Sequence, residues 1–265
     1  MIASACASSC KKDSPAPANA PPAPLRVAAA ADLASAFKDV GDEYKAKTGQ
    51  EVKFSFGSTG LLAKQIAEGA PYDVFAAANV SYADDTTKAG ACFADTKSLY
   101  ATGRIVMWAM KTASLPAKIE DLADPKFAKI AIANPEHAPY GQAAKQALTK
   151  AGIWDKVSPR IVYGENVQQT LEFAQSGNAE VAIVALSLAI VSEGQYVVID
   201  SALHDRIDQA LVVCKGSGAA ASQSGKAFTA FVGSPDGRAI MRRYGFLLPG
   251  ETPVAADHGG PSRNE

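Results

Sequence analysis

The sequence carries almost no excess charge: 26 Lys and Arg stand against 27 Asp and Glu, a formal net charge of -1. Such a balance lacks the basic field that draws a protein onto nucleic acid or anionic lipid, so neither is expected as a partner. Long apolar runs are missing too. The longest nearly apolar stretch, Val181 to Val191, is interrupted by Ser187 and falls far short of the roughly 20 residues that cross a bilayer. Histidine is scarce, with three residues, and cysteine nearly so, with four. Cys92 and Cys214 have neither CxxC nor metal-cluster spacing. They read as small buried side chains, with a disulfide between them left open. No metal site and no cofactor is expected from this inventory.

A nucleophilic serine enzyme is also poorly supplied. The G-x-S-x-G elbow is not formed around Ser58, because Phe56 takes the first glycine position, and only His137, His204 and His258 could act as base. The chain is therefore read as a non-enzyme. What it does have is an ordinary globular composition, 48% hydrophobic and 20% charged over 265 residues, enough to bury the core of one large or two small domains.

The most informative stretch runs from Glu51 to Ala78. Val52, Phe54 and Phe56 alternate as in a strand, Gly57-Ser58-Thr59-Gly60 breaks it, and Leu62 and Ile66 follow at helical spacing. Two hydroxyls thus sit at a helix start, where unpaired N–H groups and the positive end of the dipole favour an anion. Taken alone, the same hydroxyls read as N-caps.

The rest of the chain alternates strand and helix. Leu25 to Ala30 is a strand running into a helix marked by Leu33, Phe37, Val40 and Tyr44, with Asp32 placed to cap it. Further strands are expected at 73–78, 105–110, 130–133, 181–185 and 209–215. Further helices are expected from Tyr140 to the Gly152 break, after Asn166 with Gln169 as in a capping box, and from Ser234-Pro235. This pattern predicts an α/β fold of two lobes, with ligands beyond the carboxyl ends of the strands. Domain 1 is expected to be discontinuous, 25–107 and 211–250, with domain 2 at 108–210 and the strands near 105–110 and 209–215 as crossovers and hinge.

The ends differ. Met1 to Cys10 is small and apolar and leads into a Pro/Ala linker, so 1–24 is expected to be a signal remnant and tether, with Cys6 or Cys10 as a lipidated residue. Residues 251–265 lack periodicity and are expected to form a disordered tail.

Several segments together resemble the periplasmic molybdate-binding proteins of ABC transporters. They are AAAADL at 28–33, FSFGSTGLLAKQIAEGAPYDVFAAAN at 54–79, LYATGRIVMW at 99–108, ANPEHAPYGQAAKQAL at 133–148, ENVQQTLEFAQSGNAE at 165–180 and RRYGF at 242–246. The resemblance covers Leu25 to Leu248, and GAPYDVF and NPEHAPYG are its most specific parts. It implies a type II periplasmic binding fold that closes on molybdate or tungstate and delivers it to a membrane permease. It further implies a monomer in the periplasm, with lipid as the anchor if the cysteine is modified.

Such dianions offer only acceptors, so neutral hydroxyls and helix-start N–H groups suffice to hold them. Carried over, the resemblance places ligand contacts at Ala31, Asp32, Ser58, Thr59, Tyr140 and Val167, the last two through the main chain. Asp32 departs from the hydroxyl expected there. An ionised carboxylate would repel a dianion, so its side chain is expected to turn away and cap its own helix, leaving the backbone N–H to the ligand. The family's tyrosine donor aligns with Ala185 and is absent; Ser187 nearby reads as a cap or core hydroxyl. The rival readings are a phosphate- or sulfate-binding protein, with an inward Asp32 favouring phosphate, and the effector domain of a transcription regulator.

Overall fold

The computed structural model describes residues 23–252. Cys6, Cys10, nearly all of the tether and the tail beyond residue 252 lie outside the described residues. The strands are β1 (Leu25–Ala30), β2 (Val52–Gly57), β3 (Val74–Ala77), β4 (Ser98–Gly103), β5 (Ile105–Ala109), β6 (Ile130–Ala133), β7 (Ile161–Gly164), β8 (Val181–Ala185), β9 (Gln195–Val198) and β10 (Ile207–Val213). The helices are α1 (Ala34–Thr48), α2 (Thr59–Ala67), α3 (Val80–Lys88), α4 (Pro139–Lys150), α5 (Trp154–Val157), α6 (Val167–Gln175), α7 (Leu186–Ala189), α8 (Ala219–Val232) and α9 (Pro235–Arg243).

The strands form two five-stranded sheets in the orders β2-β1-β3-β10-β4 and β7-β6-β8-β5-β9. The two are built alike. In each, three parallel strands are followed by an antiparallel one, β10 beside β3 and β5 beside β8, that borders an edge strand. Strands β3, β6 and β8 are buried along their whole length, as expected of strands covered by helices on both faces. Several of them are rich in alanine, which lets the covering helices approach closely.

The expected domain limits are shifted by this pairing. All of β5 pairs in the second sheet, so Ile105, Val106 and Met107 leave the first lobe, and all of β10 pairs in the first, so Ile207 to Ala210 join it. The crossings are Arg104 and the segment 199–206, not the strands beside them. Sequence periodicity marks a strand without naming its partner, which is why the limits moved. The C-terminal helices return to the first lobe, α8 against β10 and β1 and α9 against α1. There Phe37, Tyr44 and Phe228 pack edge-on, with centroids 5.4 to 6.1 Å apart. Such tilted pairs add to the area that the rings bury.

Cys92 and Cys214 are joined in a disulfide. The bond ties the segment after α3 to the end of β10, across 122 residues of sequence. Closing so long a loop removes much of the unfolded chain's freedom, and loss of a native disulfide of this kind costs about 2–5 kcal/mol. Reduction, or the double variant C92S/C214S, is expected to lower the thermal midpoint by several degrees without unfolding the protein at room temperature. Melts with and without reductant check this.

Candidate functional site

In each lobe two neighbouring parallel strands end level with one another. Ala30 pairs with Gly57 at the ends of β1 and β2, and Ala133 with Gly164 at the ends of β6 and β7. Each strand then feeds a helix, so each lobe presents two helix starts side by side: the short 3-10 turn Ala31–Leu33 leading into α1 beside α2, and α4 beside α6. The lobes face each other through these ends. Between them lies a cavity lined by all six residues expected at the site, Ala31, Asp32, Ser58, Thr59, Tyr140 and Val167, together with flanking backbone. Its volume is about 10 Å³. That is the scale of a single water molecule, far below the roughly 300–1,000 Å³ of pockets for organic ligands. Two larger hollows, of about 530 and 460 Å³, are open surface grooves on α1/α9 and on α4, and neither gathers helix starts.

The cavity lining contains no Lys, Arg or His side chain. It offers N–H groups and hydroxyls instead. Thr59 is buried, and its Oγ1 accepts from the Ala78 N–H at 3.3 Å. Among the described residues its hydroxyl proton is given to no protein acceptor, which leaves it available to an anion. Ser58 stands at the N-cap position of α2 but makes no capping bond through its side chain. Its Oγ crosses the cleft instead and lies 2.8 Å from both Nδ1 and the carbonyl oxygen of His137. Asn166 does cap α6, accepting from Gln168 and Gln169 N–H at 3.0 and 3.1 Å. The Gln169 side chain accepts from Glu165 N–H rather than from Asn166, a variation on the expected capping box.

Asp32 overturns one expectation. It caps no helix: Ala30 and Leu33 occupy the cap positions of the 3-10 turn and of α1, and neither helix start receives a side-chain bond. The Asp32 side chain is buried, and its Oδ2 accepts from Tyr140 Oη at 2.8 Å and Gln209 Nε2 at 2.6 Å. Tyr100 Oη donates to Gln209 Oε1 at 2.6 Å, which fixes the orientation of the amide. Oδ1 is buried with no hydrogen-bond partner. Loss of water around the carboxyl raises its pKa from 3.8 to about 6, against the opposing interactions with Gln209, Tyr140 and its own backbone N–H. Burial, aided by the neighbouring Asp32, drives both Tyr100 and Tyr140 well above 10, so the two phenols stay neutral donors.

The same groups close the cleft. Tyr140, Ser187 and His137 belong to the second lobe, and their partners Asp32, Ser58 and Gly60 to the first. Ser187 Oγ donates to the Asp32 carbonyl at 2.7 Å, and Gly60 N–H donates to the His137 carbonyl at 2.9 Å. Close approach requires two glycines here. A Cβ on Gly60 would stand 2.8 Å from the His137 carbonyl oxygen, and one on Gly103 would stand 2.1 Å from Tyr140 Oη. Gln209, Tyr100 and the positioning role of His137 were not legible in advance. A glutamine opening the apolar run QALVV was the only hint of the first.

Two α/β lobes closed on a small cavity lined by helix starts define a binding protein that holds its cargo between its halves. The chain belongs to the bacterial extracellular solute-binding protein family, whose model matches residues 25–247. It is 33% identical over 224 residues to the molybdate-binding protein ModA of Rhodobacter capsulatus, covering 83% of this chain and 86% of the relative. The solved Azotobacter vinelandii periplasmic molybdate-binding protein superposes with a TM-score of 0.80 at 30% identity, covering 85% of this chain and 99% of that one. The sulfate-binding protein SubI of Mycobacterium tuberculosis superposes with a TM-score of 0.74 at 15% identity, covering 85% and 87% of the two chains, and shows the shared fold alone. The family is one of solute binders and not of enzymes, and it works outside the cytoplasm. No helix among the described residues is long and apolar enough to cross a membrane.

The Asp32 carboxyl makes stability depend on pH. Its native pKa lies above the unfolded value, so the native state holds a proton that the unfolded chain gives up. The contribution is fully present below about pH 4 and is lost as pH rises through 6. Two units correspond to about 3 kcal/mol. Asp32→Asn keeps an acceptor for Tyr140 and Gln209 and removes the charge. Its thermal midpoint is expected to exceed that of the parent at pH 8, with the gap closing towards pH 4.5.

Proposed function

We propose that the protein captures molybdate, or the equally sized and equally charged tungstate, in the cavity between its lobes and hands it to an ABC-transporter permease. The observation that carries this reading is the convergence of four helix starts on one small cavity whose lining has hydroxyls and N–H groups but no cationic side chain. A tetrahedral dianion offers only acceptors, and each hydrogen bond to a charged group contributes about 1.5–3 kcal/mol. Five or so such bonds offset its desolvation while leaving the ion releasable. In this reading Thr59 donates through its hydroxyl, and Ala31, Ser58, Tyr140 and Val167 donate through the main chain, the Ser58 hydroxyl being given to the His137 carbonyl. The lobes move about Arg104 and the 199–206 crossing. The relatives named for molybdate support the choice of ion. The Cys92–Cys214 disulfide fits an oxidising, extracytoplasmic setting. Tethering through a lipidated cysteine near the N-terminus completes the proposal.

A second reading is phosphate, favoured by the inward carboxylate of Asp32. Hydrogen phosphate carries a proton that an ionised Asp32 could accept. Calorimetric titration with molybdate, tungstate, sulfate and phosphate separates the two: saturable heat with the first two alone is expected, and heat with phosphate alone overturns the molybdate assignment. Thr59→Val is expected to weaken molybdate binding about 10- to 100-fold, the loss of one charge-assisted hydrogen bond.

A further inference from the structure

Asp32 poses a problem that the anion-binding reading does not solve by itself, and the inference drawn from it rests on that reading. Asp32 is one of the residues lining a cavity meant for a dianion, its carboxyl is buried there, and no lysine, arginine or histidine side chain lines that cavity with it. The carboxyl is not spent elsewhere. Oδ2 is engaged by two donors, Tyr140 Oη and Gln209 Nε2. The direction of the second is set by Tyr100, whose hydroxyl holds the oxygen end of the same amide. Oδ2 is therefore an acceptor on both counts, and the carboxyl has one oxygen left to carry a proton. That oxygen, Oδ1, is buried and has no protein partner.

Ionised, Oδ1 would set a third negative charge against the anion, in a site without a compensating cation. Protonated, it becomes a single O–H donor, chemically the equivalent of a serine or threonine hydroxyl. We propose that Asp32 takes up one proton from solvent as the anion binds and donates Oδ1–H to one of its oxygens, so that capture of the dianion is coupled to protonation of this carboxyl. Opening of the cleft separates Tyr140 from Asp32, returns the carboxyl to water and lets proton and anion leave together.

The surroundings leave few rivals for this titration. Tyr100 on β4 and Tyr140 on α4 face the carboxyl and stay protonated. Gln209 on β10 and Ser187 on α7 do not titrate. The charged side chains of the packed elements are Lys38, Asp39, Asp42, Glu43, Lys45 and Lys47 on α1, Lys53 on β2, Lys145 and Lys150 on α4, Glu172 on α6 and Asp208 on β10, and all of them lie at exposed or half-exposed positions. Asp208 is in addition held by Arg206 and Thr102. The remaining candidate is His137, bonded to Ser58 on the opposite wall.

The test is calorimetric titration with molybdate from pH 5.5 to 8.5, repeated at each pH in buffers of different ionisation enthalpy. The subjects are the full chain and its Asp32→Ser and Asp32→Asn variants. The parent is expected to take up close to one proton per anion at pH 7.5 and above, with the dissociation constant rising about tenfold per pH unit once Asp32 is ionised in the free protein. Both variants supply a donor that does not titrate there. They are expected to show a flat profile, no proton uptake and tighter binding than the parent at pH 8.5. Tight molybdate binding by the parent with a flat profile and no proton uptake overturns the proton coupling and leaves the molybdate reading standing. Variants that keep the parent's slope also overturn it and move the titration to His137. Absence of molybdate binding at every pH in all three proteins overturns both readings together.

Discussion

A doubly charged ion without a cationic partner is held only where several dipoles point inward at once, and this requirement governs the architecture. One helix start carries about half an elementary charge, felt over its first turn only. A single such end is too weak and too short-ranged to replace the hydration of a dianion. Two sheets, each delivering a level pair of strand ends, supply four starts around one cavity. The level endings of β1 with β2 and of β6 with β7, the alanine-rich strands and the facing lobes all serve this convergence.

The same geometry explains why lobe closure and ligand binding are linked. The groups that line the cavity also hold the lobes together: Asp32 receives Tyr140, Ser58 meets His137, and the Asp32 carbonyl receives Ser187. These bonds join partners on opposite lobes, so the environments of Asp32, Ser58 and Tyr140 depend on the lobes being together. Neutral donors suit such a device. A buried arginine or lysine would bind the anion more strongly in the closed form but would face a large cost whenever the site emptied.

Much of this was legible in the sequence, and the parts that were not share a cause. The strand–turn–helix pattern around Gly57 to Leu62 and the Asn166 cap are local, set by periodicity and by side chains that bond within a few residues of themselves. The two-lobed fold followed from their repetition. The domain limits at β5 and β10 were placed within the strands because sheet pairing is decided by contacts far apart in the chain. Asp32 was read as a cap, and Ser58 as one when its turn was taken alone, for the same reason: the short-range bond is the visible one. Their actual partners, Tyr140 and His137, lie 108 and 79 residues away. Gln209 is farther still, 177 residues from Asp32, and became meaningful only once the sheet brought it beside the carboxyl.

The disulfide has a topological consequence. Cys92 lies before the chain enters the second lobe and Cys214 after it has left, so the whole of the second lobe lies within the loop that the disulfide closes. A protease that nicks any loop of that lobe produces two fragments that remain one molecule. Only reduction would part them, and the first lobe keeps both of its separate stretches of chain in covalent register however the second is damaged.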